Sequence, residues 1–206
     1  MVSKNSQILA IAPLAPMHSF LLPNLDPTWI TLNFVAERKD DGAQNKSICE
    51  WEPIEKLEFA KKSYEKGVEL VKLRNYKGAF KMFRQTSAIT VFIQDLLPEA
   101  KDLKFRSLSN LTLCQKNLNN NEAVVEGIDI ILEKDENAPK NTAKLLARRG
   151  QSEIKLQNYE KALKDLNQAL ALEPANKVIQ SDIKIAKTQL KNHDIKLSNA
   201  MKKMFS

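Results

Sequence analysis

Glycine is scarce in this chain, five in 206 residues, and Leu, Lys, Ala, Glu and Asn dominate after about residue 50. So few turn-forming residues among so many helix formers point away from a sheet and toward an α-helical solenoid or bundle. The only cysteines, Cys49 and Cys114, have no metal spacing around them and make no disulfide framework. A reducing, cytoplasmic compartment fits that usage, and Cys114, set in an apolar stripe, reads as core. His18 and His193 stand far apart with no third partner for a triad or metal site, so both read as surface or interface residues. No metal or cofactor is expected. No apolar run approaches the roughly 20 residues of a membrane helix. The opening stretch MVSKNSQILAIAPLAPMHSFLLP is interrupted by Pro13, Pro16 and Pro23 and lacks the unbroken core of a signal peptide. Arginine forms no block, and the aromatic residues do not interleave with the charges, which argues against a nucleic-acid surface despite the net charge of +7. Bases interspersed with acids read as solvated helix faces, with an anionic partner as the sharper alternative.

What is present divides the chain in two. Residues 1–50 carry strand and turn signals. In WITLNFVAE (29–37) the side chains alternate, Trp29, Thr31, Asn33 and Val35 against Ile30, Leu32, Phe34 and Ala36, which predicts a strand. ILAIAP (8–13) offers a second. Such a hairpin must pack on something, because two strands alone are marginal in water. From Pro53 the period changes to 3.6, predicting helices at about 53–73, 76–94, 98–118, 121–135, 141–156, 159–172 and 175–204.

The repeat is the strongest signal. In AKLLARRGQSEIKLQNYEKALKDLNQALALEP (143–174), Gly150 falls at position 8, Ala162 at 20, Ala169 at 27 and Pro174 at 32 of a 34-residue unit. That is the tetratricopeptide pattern, in which small residues let two helices approach closely and proline ends the second. A unit starting at Ala60 repeats it with Gly67, Tyr76, Ala79 and Phe83. A degenerate unit near Phe105 keeps the apolar pattern but has Thr112 at position 8 and Val124 at 20. The expected fold is mainly α: a short β-strand segment (1–50), three helix pairs within 51–174 (about 53–94, 98–135 and 141–174), and a C-terminal capping helix (175–206) with the stripe Ile179, Ile183, Ala186, Leu190, Leu197, Met201 and Met204.

CEWEPIEKLEFAKKSYEKG, SNLTLCQKNL, AKLLARRG and SNAMKKMFS resemble the three repeats and final helix of the large FK506-binding proteins, the FKBP-type immunophilins. IAPLA (11–15) and LLPNLDPTWITLNFVAE (21–37) resemble the last part of that family's isomerase domain. The resemblance implies a remnant: the strands that build the aromatic pocket would precede residue 1, and Pro16-Met17 replaces the usual Tyr-Gly. No prolyl-isomerase pocket is then expected from this chain, and the chain is read as not an enzyme.

The resemblance also implies a site. The family's repeats hold the acidic EEVD tail of heat-shock protein 90 or 70 in a two-carboxylate clamp of Lys, Arg and Asn side chains. Asn110, Lys144 and Arg148 match three of its five positions, and Lys144 and Arg148, at i and i+4, point the same way. The first-repeat Lys and Asn positions hold Tyr64 and Val68. Lys184, Lys187, Lys191, Lys196, Lys202 and Lys203 lie opposite Met201, Met204 and Phe205, an arrangement for which the resemblance implies calmodulin as partner. The expected function is a non-catalytic co-chaperone or adaptor scaffold binding chaperones or clients such as kinases and receptors. Two alternatives stand beside it: part of a prolyl isomerase whose catalytic strands lie outside this chain, and a structural protein whose last helix leads on to a tail or membrane anchor.

Overall fold

The computed structural model describes residues 48–134 and 142–204. Over them the chain forms a 3-10 turn, Ile48–Glu50, and seven helices: α1 (Pro53–Lys72), α2 (Tyr76–Val91), α3 (Pro98–Asn117), α4 (Asn121–Lys134), α5 (Thr142–Lys155), α6 (Tyr159–Leu172) and α7 (Lys177–Met204). No strand occurs among the described residues. The strands expected at 8–13 and 29–37 fall outside them, as do His18 and Phe205.

Local chemistry sets the helix ends. Pro53 and Pro98 open α1 and α3, where a fixed φ suits the first turn and the missing N–H is no loss. Glu55 Oε2 accepts from the Glu52 N–H at 3.0 Å, one arm of a capping box. The turns inside the three pairs are the same turn. Arg74, Asn119 and Gln157 take left-handed φ values of 57, 62 and 63°. Each precedes an asparagine (Asn75, Asn120, Asn158) whose N–H donates five residues back, to Leu70, Gln115 and Glu153, at 2.9–3.0 Å. This closure satisfies the last carbonyls of the outgoing helix, and the degenerate middle unit has it too.

The small residues do what the pattern implied. A Cβ on Gly150 would sit 2.7 Å from Leu166 Cγ and 3.2 Å from the Ala162 carbonyl oxygen; one on Gly67 would sit 2.7 Å from Phe83 Cε1. Even alanine would force a neighbour to move. In the middle pair Thr112 and Val124 are fully buried at the corresponding positions, and α3 and α4 pack less closely than the other two pairs.

The core is continuous along the array. Leu57, Ala60, Ile89, Ile93 and Leu103 pack at the α1 end. Phe83, Phe105, Leu111, Cys114, Ile128 and Leu145 form the middle, and Leu146, Leu166, Ile179 and Ile183 the α7 end. Trp51 stacks edge-on against Phe59 at 5.3 Å, stapling the start of α1. Because α2 lies between α1 and α3, it is buried on two sides. It carries the buried Thr86 and Thr90, whose hydroxyls donate to the Met82 and Thr86 carbonyls of their own helix at 2.9 and 3.0 Å, Thr86 Oγ1 also lying 3.4 Å from the Ala60 carbonyl oxygen of α1. Expected to run to 94, α2 stops at Val91; Ile93 turns inward, and Leu97 is extended before Pro98.

Helix α7 differs from its expected role. Only Ile179, Ile183 and Ala186 of the stripe are buried, whereas Leu197, Met201 and Met204 are 52, 54 and 80% exposed. The reason is length. Its neighbour α6 has 14 residues against 28 in α7, about 21 Å against about 42 Å, so the stripe outruns the surface it would cover.

Candidate peptide-binding face of the first helices

The first helices of successive pairs lie side by side: α1 against α3, α3 against α5, α5 against α7. Polar side chains link them in a row. Asn110 Nδ2 on α3 donates to Tyr64 Oη on α1 at 3.1 Å. Arg148 on α5 reaches back to α3, where Nη1 donates to the Ser109 carbonyl at 2.5 Å and to Thr112 Oγ1 at 2.6 Å. Lys116 Nζ donates to Gln151 Oε1, and Gln151 Nε2 donates to Asp182 Oδ2 on α7 at 2.6 Å.

Arg148 carries the most unusual environment of the row. Burial pushes its guanidinium down to about 10, with the Cys114 thiol acting weakly the other way, so it stays charged at neutral pH. No carboxylate pairs with it among the described residues. Nη1 makes both of its hydrogen bonds, which leaves Nε and Nη2, an edge able to fork around a carboxylate, without a partner among the described residues. Thr112 explains why this is tolerated. The residue that breaks the small-residue pattern donates its own hydroxyl hydrogen to Ser109 O at 2.9 Å and accepts from Arg148. Cys114 lies beneath, its thiol raised to about 11 by burial, partly opposed by Arg148; it is fully buried and belongs to the core. Lys116 is held below its usual range by burial and by Arg148, with Asp182 opposing.

Of the three residues singled out from sequence, Lys144 is exposed, one turn before Arg148 on α5. Asn110 sits one residue past the Ser109 carbonyl that holds Arg148. The α1 end is different. Tyr64 is fixed by Asn110, by Phe83 at a centroid distance of 5.5 Å and by the Arg106 guanidinium 5.2 Å over its ring. Val68 packs against the core.

Sequence reasoning missed Arg149. Its Nε and Nη2 fork Asp165 at 2.7 Å each, and Nη1 reaches Asp129 at 2.5 Å, tying α5 to α6 and α4 on the side away from Arg148. The Asp165 hydrogen bond, offset by burial and helped by its charge and by Asp129, raises the Arg149 guanidinium above its ordinary value. Nothing in the spacing of 129, 149 and 165 announces the contact.

Residues 143–176 match the tetratricopeptide repeat family. The Drosophila melanogaster FK506-binding protein 59 is 30% identical over 182 residues, covering 87% of this chain and 40% of that protein. The human FK506-binding protein-like is 28% identical over 162 residues, covering 79% and 44%. The chain is a relative of the FK506-binding proteins. The first of these matches is longer than residues 51–206, so the likeness reaches into the N-terminal segment. The chain spans less than half the length of these relatives. By fold, it superposes on the C-terminal tetratricopeptide-containing domain of a Plasmodium falciparum FK506-binding protein with a TM-score of 0.64 at 22% identity, over 72% of this chain and 99% of that domain. A tetratricopeptide array of this kind is a protein-interaction scaffold. No described helix is long and apolar enough to cross a membrane.

Proposed function

We propose that this chain is a non-catalytic, cytoplasmic adaptor that binds an acidic peptide segment of a partner protein across α1, α3 and α5. One observation carries the reading: Arg148 is a largely buried cation with no acid beside it and one fork edge unused, a turn away from exposed Lys144. Asn110 stands ready to orient the peptide backbone. The tail of heat-shock protein 90 or 70 is the first candidate ligand, and kinase or receptor clients are further partners. The exposed Leu197, Met201 and lysines of α7 are where calmodulin would dock.

The test is an NMR titration of the labelled chain with a peptide ending in EEVD. Saturable shifts on α5 are expected, with a Kd near 1 mM, about −4 kcal/mol. Lys144→Ala, an exposed change that leaves the fold intact, should weaken binding about tenfold, the order of one charge-assisted bond. Unchanged affinity in that variant, or no shift at all, would refute the peptide-binding reading.

Catalysis is addressed separately. The same preparation should leave cis–trans exchange of an Xaa-Pro peptide at its uncatalysed time of roughly tens to hundreds of seconds. Acceleration that scales with protein and is blocked by FK506 would favour the isomerase alternative instead.

A further inference from the structure

We infer that this face recognises a carboxylate carried on a side chain within a peptide, and is indifferent to whether the peptide ends in a free carboxylate. The inference rests on the peptide-binding reading above and adds what kind of acidic peptide fits.

The two ends of the face differ in charge. At the α5 end, Lys144 and the open edge of Arg148 can hold one carboxylate. At the α1 end Lys61 and Arg106 are already matched. Lys61 Nζ is 2.7 Å from Glu99 and Arg106 Nε is 2.8 Å from Asp102, while Arg106 also lies over Tyr64. Lys62 and Lys66 flank Tyr64 by two residues, and so project from the far side of α1. What faces a ligand there is the Tyr64 phenol beside Val68. The phenol oxygen already accepts from Asn110 and keeps one O–H to donate.

A C-terminal acidic residue brings two carboxylates a few ångströms apart, and both lose water when the peptide lies down. One is met by the α5 cations. The other would face a neutral hydroxyl and an apolar wall, and an uncompensated buried charge is costly. The terminal carboxylate therefore stays in solvent. A peptide carbonyl, by contrast, suits a single neutral O–H donor, so a terminal amide or a chain that simply continues loses nothing. Tyr64 is the residue that sets this preference. Its ring is anchored on Phe83 and its hydroxyl on Asn110, so it does not swing aside to admit an anion.

Three peptides separate the outcomes, read as initial slopes of NMR shift against concentration on the full chain: one ending in EEVD as the free acid, the same peptide as its C-terminal amide, and an amide with glutamine and asparagine in place of the acids. The first two should agree within about twofold, and the third should fall at least about tenfold. In the Tyr64→Lys, Val68→Asn double variant, amidation should cost at least about tenfold, since a cation then waits for the terminus. A tenfold loss on amidation in the unmodified protein would overturn the inference while leaving peptide binding intact. Equal binding of the uncharged peptide would instead overturn the acidic-peptide reading, and the inference with it, as would no binding of any of the three.

Discussion

Replacing Arg149 with alanine should lower the free energy of unfolding by about 3 kcal/mol, the largest stability effect expected of any charged residue here. The argument is one of abandonment rather than lost attraction. The Asp165 side chain is 7% exposed and its two oxygens are each held at 2.7 Å by Arg149. Removing the guanidinium leaves a carboxylate between α5 and α6 with neither water nor cation, and breaking a buried pair from one side costs roughly 3–5 kcal/mol. The lower end applies because Arg149 retains 20% exposure, which lets some water in. Asp129, at 47%, adds little, as half-exposed pairs contribute about 0–1 kcal/mol. Urea denaturation should show a lower midpoint with an unchanged slope. Adding Asp165→Leu to Arg149→Ala should return part of the loss, because the stranded charge goes with it. A single variant losing less than about 1 kcal/mol would mean that Asp165 finds another partner.

The second large effect concerns affinity. Tyr64→Lys with Val68→Asn should tighten binding of a free EEVD peptide about a hundredfold, from near 1 mM to near 10 µM. A charge-assisted hydrogen bond contributes about 1.5–3 kcal/mol, and 1.4 kcal/mol is a factor of about ten. One new cation and one new amide therefore reach two decades, even after some loss from opening the contact with Phe83. Removing Tyr64 also releases Asn110 from its phenol partner. Calorimetry would read the gain, and a thermal melt alongside it would confirm that the variant folds. Lys144→Ala is the cleaner change for reversing it, because Arg148 also pins α5 to Ser109 and Thr112 and its removal would disturb the array. A folded double variant with no gain would show that this face is not an EEVD site.

Much of the fold could be read from residues whose effect is local or strictly periodic. Gly67 and Gly150 mark the close crossings because no other side chain fits under Phe83 or Leu166. The asparagines at 75, 120 and 158 mark the turns because left-handed residues before them close the helix ends. Legibility stopped where an outcome depends on which helices end up adjacent. That α2 would be buried on two sides, with threonines satisfied by their own helix, follows from the order of packing rather than from the period. The candidate site divides the same way. Lys144 and Arg148 were visible as one face of one helix. That Arg148 would bend back to a threonine 36 residues earlier was not, because Thr112 read as a defect in the repeat rather than as a receptor. Nor was the Arg149 fork, which joins three helices.

The overhang of α7 has a consequence for time as well as for shape. After Ala186 no residue of this helix is buried, and residues 191–204 are all exposed, with His193 edge-on to Tyr159 of α6 as the last ring contact along it. Fourteen residues lie near the length below which a helix in water is marginal without tertiary support. Amide hydrogen exchange should therefore slow on approaching Ile183 and quicken steadily toward Met204, so that one continuous helix keeps two clocks. Anything that settles on Leu197 and Met201 would first be noticed as a slowing of the faster one.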